Sequence, residues 1–150
     1  MRFVSRFPCL GFMCVFFLVA LVSCSTVKQK PSPAVQTVRA FNSTYGTPAM
    51  DRTADIVTPE FRDGLPKSVW VMKTWNGMQK AEYKRVKGSV LESEIKDDRA
   101  VVVMNSTIET SAGQTQQNEI FTLIRRDGRW LIDGLAVTDE EISSKGPSGK

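Results

Sequence analysis

The side chains able to do chemistry are few, and their types narrow what the chain can do. It holds three cysteines, Cys9, Cys14 and Cys24, and no histidine in 150 residues. Without imidazole, the commonest general base and metal ligand are both missing. No phosphate-cradling glycine loop, zinc-ligand spacing, nucleophile elbow or calcium loop occurs in the sequence. What remains is one thiol in a distinctive setting: Leu21-Val22-Ser23 lead into Cys24, and the chain turns polar immediately after it. The segment that brings the thiol to that junction decides what it can be used for.

That segment opens with Arg2 and Arg6 and no acid, then runs apolar from Phe7 to Val22, broken only by Pro8 and Gly11. A charged start, an apolar stretch and a small residue, Ser23, are the parts of an export signal. At about 16 residues the run is shorter than the roughly 20 that a spanning helix needs. Leu21-Val22-Ser23-Cys24 resembles the lipobox of bacterial lipoproteins. The resemblance implies that the Cys24 thiol receives a diacylglyceryl group, that residues 1–23 are removed as a signal peptide, and that the new amino terminus is acylated too. The partner is then a membrane, held through acyl chains on Cys24. Ser25 rather than Asp after the cysteine favours the outer membrane, with the protein facing the periplasm of the cell envelope. One chain would hold only marginally, at about 0.8 kcal/mol per buried methylene, but two or three at one cysteine hold permanently.

Processing changes the bulk numbers. Removing 23 of the 150 residues leaves 127, one domain with enough chain to bury a core. Losing Arg2 and Arg6 leaves 18 basic against 16 acidic residues, so the apparent basicity belongs in part to the leader. Cys9 and Cys14 leave with it and Cys24 carries lipid, so the folded part has no thiol for a disulfide.

Residues 24–32 read as a lipidated tether, reaching roughly 25 Å at about 3.1 Å per residue if extended. A helix should start at Ser32-Pro33, with Ala34, Val38, Phe41 and Tyr45 on one face and Gly46 as its end. Thr47-Pro48 begins a second, carrying Met50, Ala54, Val57 and Phe61 at the same spacing, with a restart at Thr58-Pro59 and a stop at Asp63-Gly64. A third is expected over 66–76, ended by Gly77. The period then changes to that of strands, expected over 81–95 with Gly88 as a bulge, 99–110, 116–126 and 130–137. Asp97-Asp98, Ser111-Ala112-Gly113 and Asp127-Gly128 supply the turns. Residues 142–150, rich in Ser, Lys, Gly and Pro, read as a disordered tail. Helices followed by four strands on short turns predict an α+β fold, the helices packed on one face of an antiparallel sheet.

This order resembles the nuclear transport factor 2-like domain, over residues 33–141. The residues that carry the resemblance are the helical stretches 34–45 and 50–61, Asp98-Arg99-Ala100-Val101-Val102-Val103, and the closing hairpin Arg126-Asp127-Gly128-Arg129-Trp130-Leu131-Ile132-Asp133. A cystatin-like sheet is the alternative. The resemblance implies N-terminal helices packed on a curved four-stranded antiparallel sheet, a cone with a pocket at its open end. Trp70, Trp75, Tyr83, Met104, Phe121 and Trp130 would be the candidates to line that pocket, or else simply fill the core, Trp130 above all. Some members are isomerases or dehydratases that use buried carboxylates. Here the base would have to be Asp51, Asp55 or Asp133, with Tyr45 or Tyr83 as hydrogen-bond donor, acting on a small hydrophobic substrate. Asp51 and Asp55 alternate with the apolar face of their helix, which points them to solvent.

Lys80, Lys84, Arg85 and Lys87 cluster at the start of the first strand, but Glu92, Glu94, Asp97 and Asp98 follow, which describes a solvated sheet face rather than a nucleic-acid site. Arg125, Arg126 and Arg129 read as hairpin solubility rather than an anion site. The expectation is therefore a lipid-anchored envelope protein, not an enzyme, with no cofactor and no metal. Its domain would bind a small hydrophobic ligand or a partner protein within an envelope assembly, and a homodimer through the open sheet face fits the same pattern.

Overall fold

The computed structural model describes residues 30–138. The expected signal peptide, Cys24, most of the tether and the tail lie outside the described residues. Three helices come first, α1 (Pro33–Thr44), α2 (Met50–Asp55) and α3 (Lys67–Lys80). Four strands follow, β1 (Lys84–Lys96), β2 (Arg99–Thr110), β3 (Gly113–Arg126) and β4 (Arg129–Thr138). They pair antiparallel in the order β1-β2-β3-β4. This is the α+β arrangement expected from the sequence.

Local chemistry accounts for most boundaries. The Ser32 hydroxyl accepts a bond from the Val35 backbone N–H at 3.3 Å, and Pro33 occupies the first turn, where its missing N–H costs nothing. Asp127 and Gly128 both take left-handed backbone angles (φ 50° and 74°), the geometry a tight hairpin demands. On β2, Ala100, Val102, Met104, Ser106 and Ile108 all turn inward and are buried, as their alternation predicts. They meet Phe121 and Leu123 of β3, Ile132 of β4, and Ala34, Val38 and Phe41 of α1. Phe41 is the hub. Its ring stacks on Tyr45 at 4.4 Å and meets Phe121 and Phe61 edge-on at 5.3 and 6.0 Å.

Several boundaries depart from the sequence reading, among them β3, which begins at Gly113 instead of 116. The second helix stops at Asp55 instead of continuing to Phe61, and Thr58-Pro59 does not restart it. Instead the Thr58 N–H donates to the Ile132 carbonyl and the Ile132 N–H to the Ile56 carbonyl, both at 2.9 Å, so residues 56–58 run parallel to β4 and cover its edge. Val57 is β-branched and suits that bridge, which Ile56, still at ψ 8°, leads into. The Thr58 hydroxyl donates to Asp133 Oδ1 at 2.9 Å and caps the Phe61 N–H at 3.1 Å.

α3 runs through Gly77 to Lys80, and β1 begins three residues later than expected, after a left-handed Glu82. The bulges of β1 fall at Val86 and Leu91, between Arg85/Lys87 and Val90/Glu92, while Gly88 sits in regular register opposite Ser106. Each bulge flips the inward–outward parity of the residues after it and bends the strand. The sheet is accordingly curved around the helices.

Candidate functional site

Arg85 faces inward at the start of β1, where a cluster of polar side chains interrupts an otherwise apolar sheet face. Arg85 of β1, Ser106 of β2 and Glu119 of β3 lie side by side on three adjacent strands. Arg85 Nη1 donates to Glu119 Oε2 at 2.6 Å and Nη2 to Oε1 at 3.0 Å, a two-pronged pair whose side chains are 5% and 2% exposed. The Ser106 hydroxyl accepts from Arg85 Nη1 at 2.8 Å and donates to Glu119 Oε2 at 2.7 Å. Gln117 Nε2 adds a bond to Oε1 at 3.1 Å. Burial works against the Arg85 charge, but the hydrogen bond and charge of Glu119 outweigh it and hold the Arg85 pKa above its ordinary value.

Two tyrosines close over this cluster. Tyr45, at the end of α1, and Tyr83, just before β1, meet edge-on with ring centroids 6.1 Å apart. Two glycines make the closure possible. A side chain at Gly46 (φ 73°) would put its Cβ 2.6 Å from the Tyr83 ring, and one at Gly88 would come within 2.4 Å of Asn42 Oδ1. Asn42 Oδ1 and Arg85 Nε are buried polar atoms that have no hydrogen-bond partner among the described residues.

Burial, followed by the neighbouring Tyr83, pushes the Tyr45 phenol up to about 12. Burial also raises Tyr83, against the pull of Arg85. Both favour the neutral phenol in the folded state, so their contribution is fully present below the unfolded value of about 10 and is lost as pH rises through the folded one. In an alkaline titration followed by phenolate absorbance, Tyr45 should ionise only near pH 12, together with unfolding. Two phenolates formed at the ordinary tyrosine pKa, with circular dichroism unchanged, would contradict the closure.

The expected pocket residues do not converge on one cavity. Met104 and Phe121 are fully buried in the core, and Trp70, 7% exposed, packs edge-on against Phe61 at 6.1 Å. Trp130 is half-buried at the core margin rather than central to it, with the Arg125 guanidinium over its ring at 5.7 Å. Tyr83 belongs to the closed polar cluster. Trp75 is elsewhere, in a cleft of about 310 Å³ between α2 and α3, lined from α3 by Val71 and Met72 and from the other side by Pro48, Met50 and Asp51.

The candidate bases fare similarly. Asp51 and Asp55 are exposed, as the helix alternation predicts, and Asp55 pairs with Lys67. Asp133 accepts the Thr58 hydroxyl. Of the basic groups, Arg85 corrects the expectation of a wholly solvated cluster, since Lys80, Lys84 and Lys87 are exposed and Arg85 is not. Arg125 pairs with Asp98 at 2.7 Å, Arg126 with Glu60 at 3.3 Å, and Arg129 donates to the Asp55 carbonyl at 3.4 Å. The sequence reading missed Glu119 and Ser106. Their signal was parity: both sit in register with inward-facing apolar neighbours.

On its other side the sheet faces away from the helices and is mixed, with exposed Thr122 among its apolar positions. Val101 is 40% exposed, and Ile120, Ile124 and Leu131 occupy neighbouring outward positions across β3 and β4. Glu92, Glu94, Lys96 and Arg99 border them. Two shallow clefts of about 200 and 210 Å³ open here around Val101.

Helices wrapped by such a sheet define a nuclear transport factor 2-like cone, and solved structures share it. A SEC-C motif containing protein from Rhodopseudomonas palustris matches with a TM-score of 0.57 at 19% identity, over 73% of this chain and 83% of the other. A candidate ketosteroid isomerase from Shewanella frigidimarina matches at 0.55 and 16% identity, over 71% and 95%. A designed nuclear transport factor 2-like protein with a long sheet matches at 0.53 and 14% identity, over 70% and 99%. No sequence-family model matches the chain, and no curated protein matches it by sequence. The likeness is one of fold.

Proposed function

We propose that the chain is a lipid-anchored protein of the bacterial envelope, held at the outer membrane through Cys24, whose cone is a non-catalytic binding domain. The observation that carries the non-catalytic part is the Arg85–Glu119 pair, while the anchor rests on Leu21-Val22-Ser23-Cys24. Where a cone enzyme needs a hollow with a free base, this cone holds a carboxylate whose oxygens accept bonds from Arg85, Ser106 and Gln117. Proton abstraction needs a base within reach of substrate and free to accept. A relative in fold described as a candidate ketosteroid isomerase therefore lends this chain its shape more readily than its chemistry.

The surface suited to binding is the outer sheet face around Val101, Ile120, Ile124 and Leu131. An apolar patch with a charged rim is the usual mark of a protein contact. Its occupant is a partner protein of the envelope or a second copy of the chain.

A photo-activatable side chain at position 101 should give discrete cross-linked adducts in intact cells, and the same probe at exposed Glu109 should not. Diffuse labelling from both positions would sink the binding-face reading. Mass spectrometry of the purified chain tests the anchor separately, by lipid mass on Cys24.

A further inference from the structure

The exposed face of α3 is unlike any other surface of the domain. Val69 and Met72 stand out of it, 41% and 60% exposed, beside half-buried Trp75 and the apolar cleft it lines. Lys67, Lys73 and Lys80 are spread along the same helix, which carries no acidic residue. Asp55 pairs with Lys67, and Asp51 stands at the cleft rim. Lys73 and Lys80 are left as exposed positive charges beside apolar side chains. Exposed Val and Met with an interfacial Trp and flanking lysines suit the boundary between lipid headgroups and acyl chains.

Placement favours the same contact. The Thr37 hydroxyl, one turn into α1, reaches the Trp130 carbonyl at 3.4 Å, Arg129 reaches the Asp55 carbonyl, and Asp55 pairs with Lys67 at the start of α3. The chain leading back to Cys24 thus leaves the domain at the end where α3 begins. Eight residue steps separate Cys24 from Ser32, a reach of roughly 25 Å.

We infer that α3 is a membrane-contact helix, laying Val69, Met72 and Trp75 on an anionic phospholipid surface with Lys73 and Lys80 on its headgroups. The inference rests on the anchor reading given above. Tethering on a short linker raises the local concentration to the order of millimolar, so a patch too small to bind from solution suffices. Two acids and two bases, Glu92, Glu94, Lys96 and Arg99, border the outer sheet face, whereas α3 carries basic residues alone, so an anionic surface favours α3.

The test uses the full lipidated chain in vesicles of phosphatidylethanolamine and phosphatidylglycerol, with and without brominated acyl chains. Tryptophan emission should be quenched by the brominated lipid. The quenched component should vanish in Trp75→Phe and fall by roughly half or more in Met72→Glu with Lys73→Glu, or with phosphatidylglycerol replaced by phosphatidylcholine. Met72 and Lys73 are exposed, so an unchanged circular dichroism spectrum verifies the fold of that variant. Unquenched Trp75 in a chain whose Cys24 carries lipid overturns the α3 contact alone. Absent lipid mass at Cys24 overturns the anchor and the contact with it. Concentration-dependent shielding of Trp75 in detergent, without a bilayer, assigns the face to a second copy and also overturns it.

Discussion

Replacing Arg85 by Met should remove about 3–5 kcal/mol of folding free energy, because it leaves the Glu119 carboxylate buried without its counter-charge. That is a large share of the roughly 5–15 kcal/mol by which a domain of this size is stable. The size of the effect comes from exposure. The pair is 5% and 2% exposed, whereas Lys67 and Asp55 are 56% and 60% exposed, and breaking the latter should cost under about 1 kcal/mol. The double variant, Arg85→Met with Glu119→Leu, should recover most of the loss, since a buried pair exchanged for packed apolar groups is often neutral. A residue of about 1–3 kcal/mol should persist, because Ser106 and Gln117 lose their acceptor. Urea denaturation of the three variants measures this directly. A single-variant cost below about 1 kcal/mol would mean that water already reaches Glu119. The cone would then be open at its polar end, and the non-catalytic reading would lose its main support.

The contrast between β2 and β1 shows which parts of this arrangement the sequence displays. β2 alternates in sequence, so its inward set is readable residue by residue, although Val103 is buried from the outward parity too. The hairpin turns are readable too, because Asp127-Gly128 and Gly113 are the residue types that left-handed backbone selects. β1 hides its inward face, since the bulges at Val86 and Leu91 shift parity twice and neither carries a glycine signal. Arg85 therefore looks like one more lysine-rich surface position. Val57 and Phe61 do reach the core side, yet through an extended segment paired to Ile132 rather than through a helix. The 4-3-4 spacing records which side chains are buried and leaves the backbone path to the partner strand. Glu119 went unread although its signal was present: by the parity of Phe121 and Leu123 it is a charge at an inward position, which demands a partner.

Phe41→Ala should be the most damaging single change in the apolar core, with a loss of about 3–5 kcal/mol. The ring is fully buried and touches Tyr45, Phe61 and Phe121, so its removal strips aromatic pairs from α1, from the segment after α2 and from β3 together. Phe41→Leu, which keeps most of the volume, should cost far less. The variant also tests whether the cone is filled. A cavity lined by Phe121, Phe61 and Tyr45 would be apolar, stay dry, and accept a small aromatic probe such as benzene. Benzene should then raise the melting temperature of Phe41→Ala by mass action, by up to about 2.7 kcal/mol at a hundredfold excess over its dissociation constant, and leave the parent chain unmoved. An equal rise in the parent would reveal a hollow already present, and a small hydrophobic ligand would become the better occupant of the interior. An unmoved parent leaves recognition to the surfaces, with the proposed protein contact on the outer sheet face and the proposed membrane contact on α3.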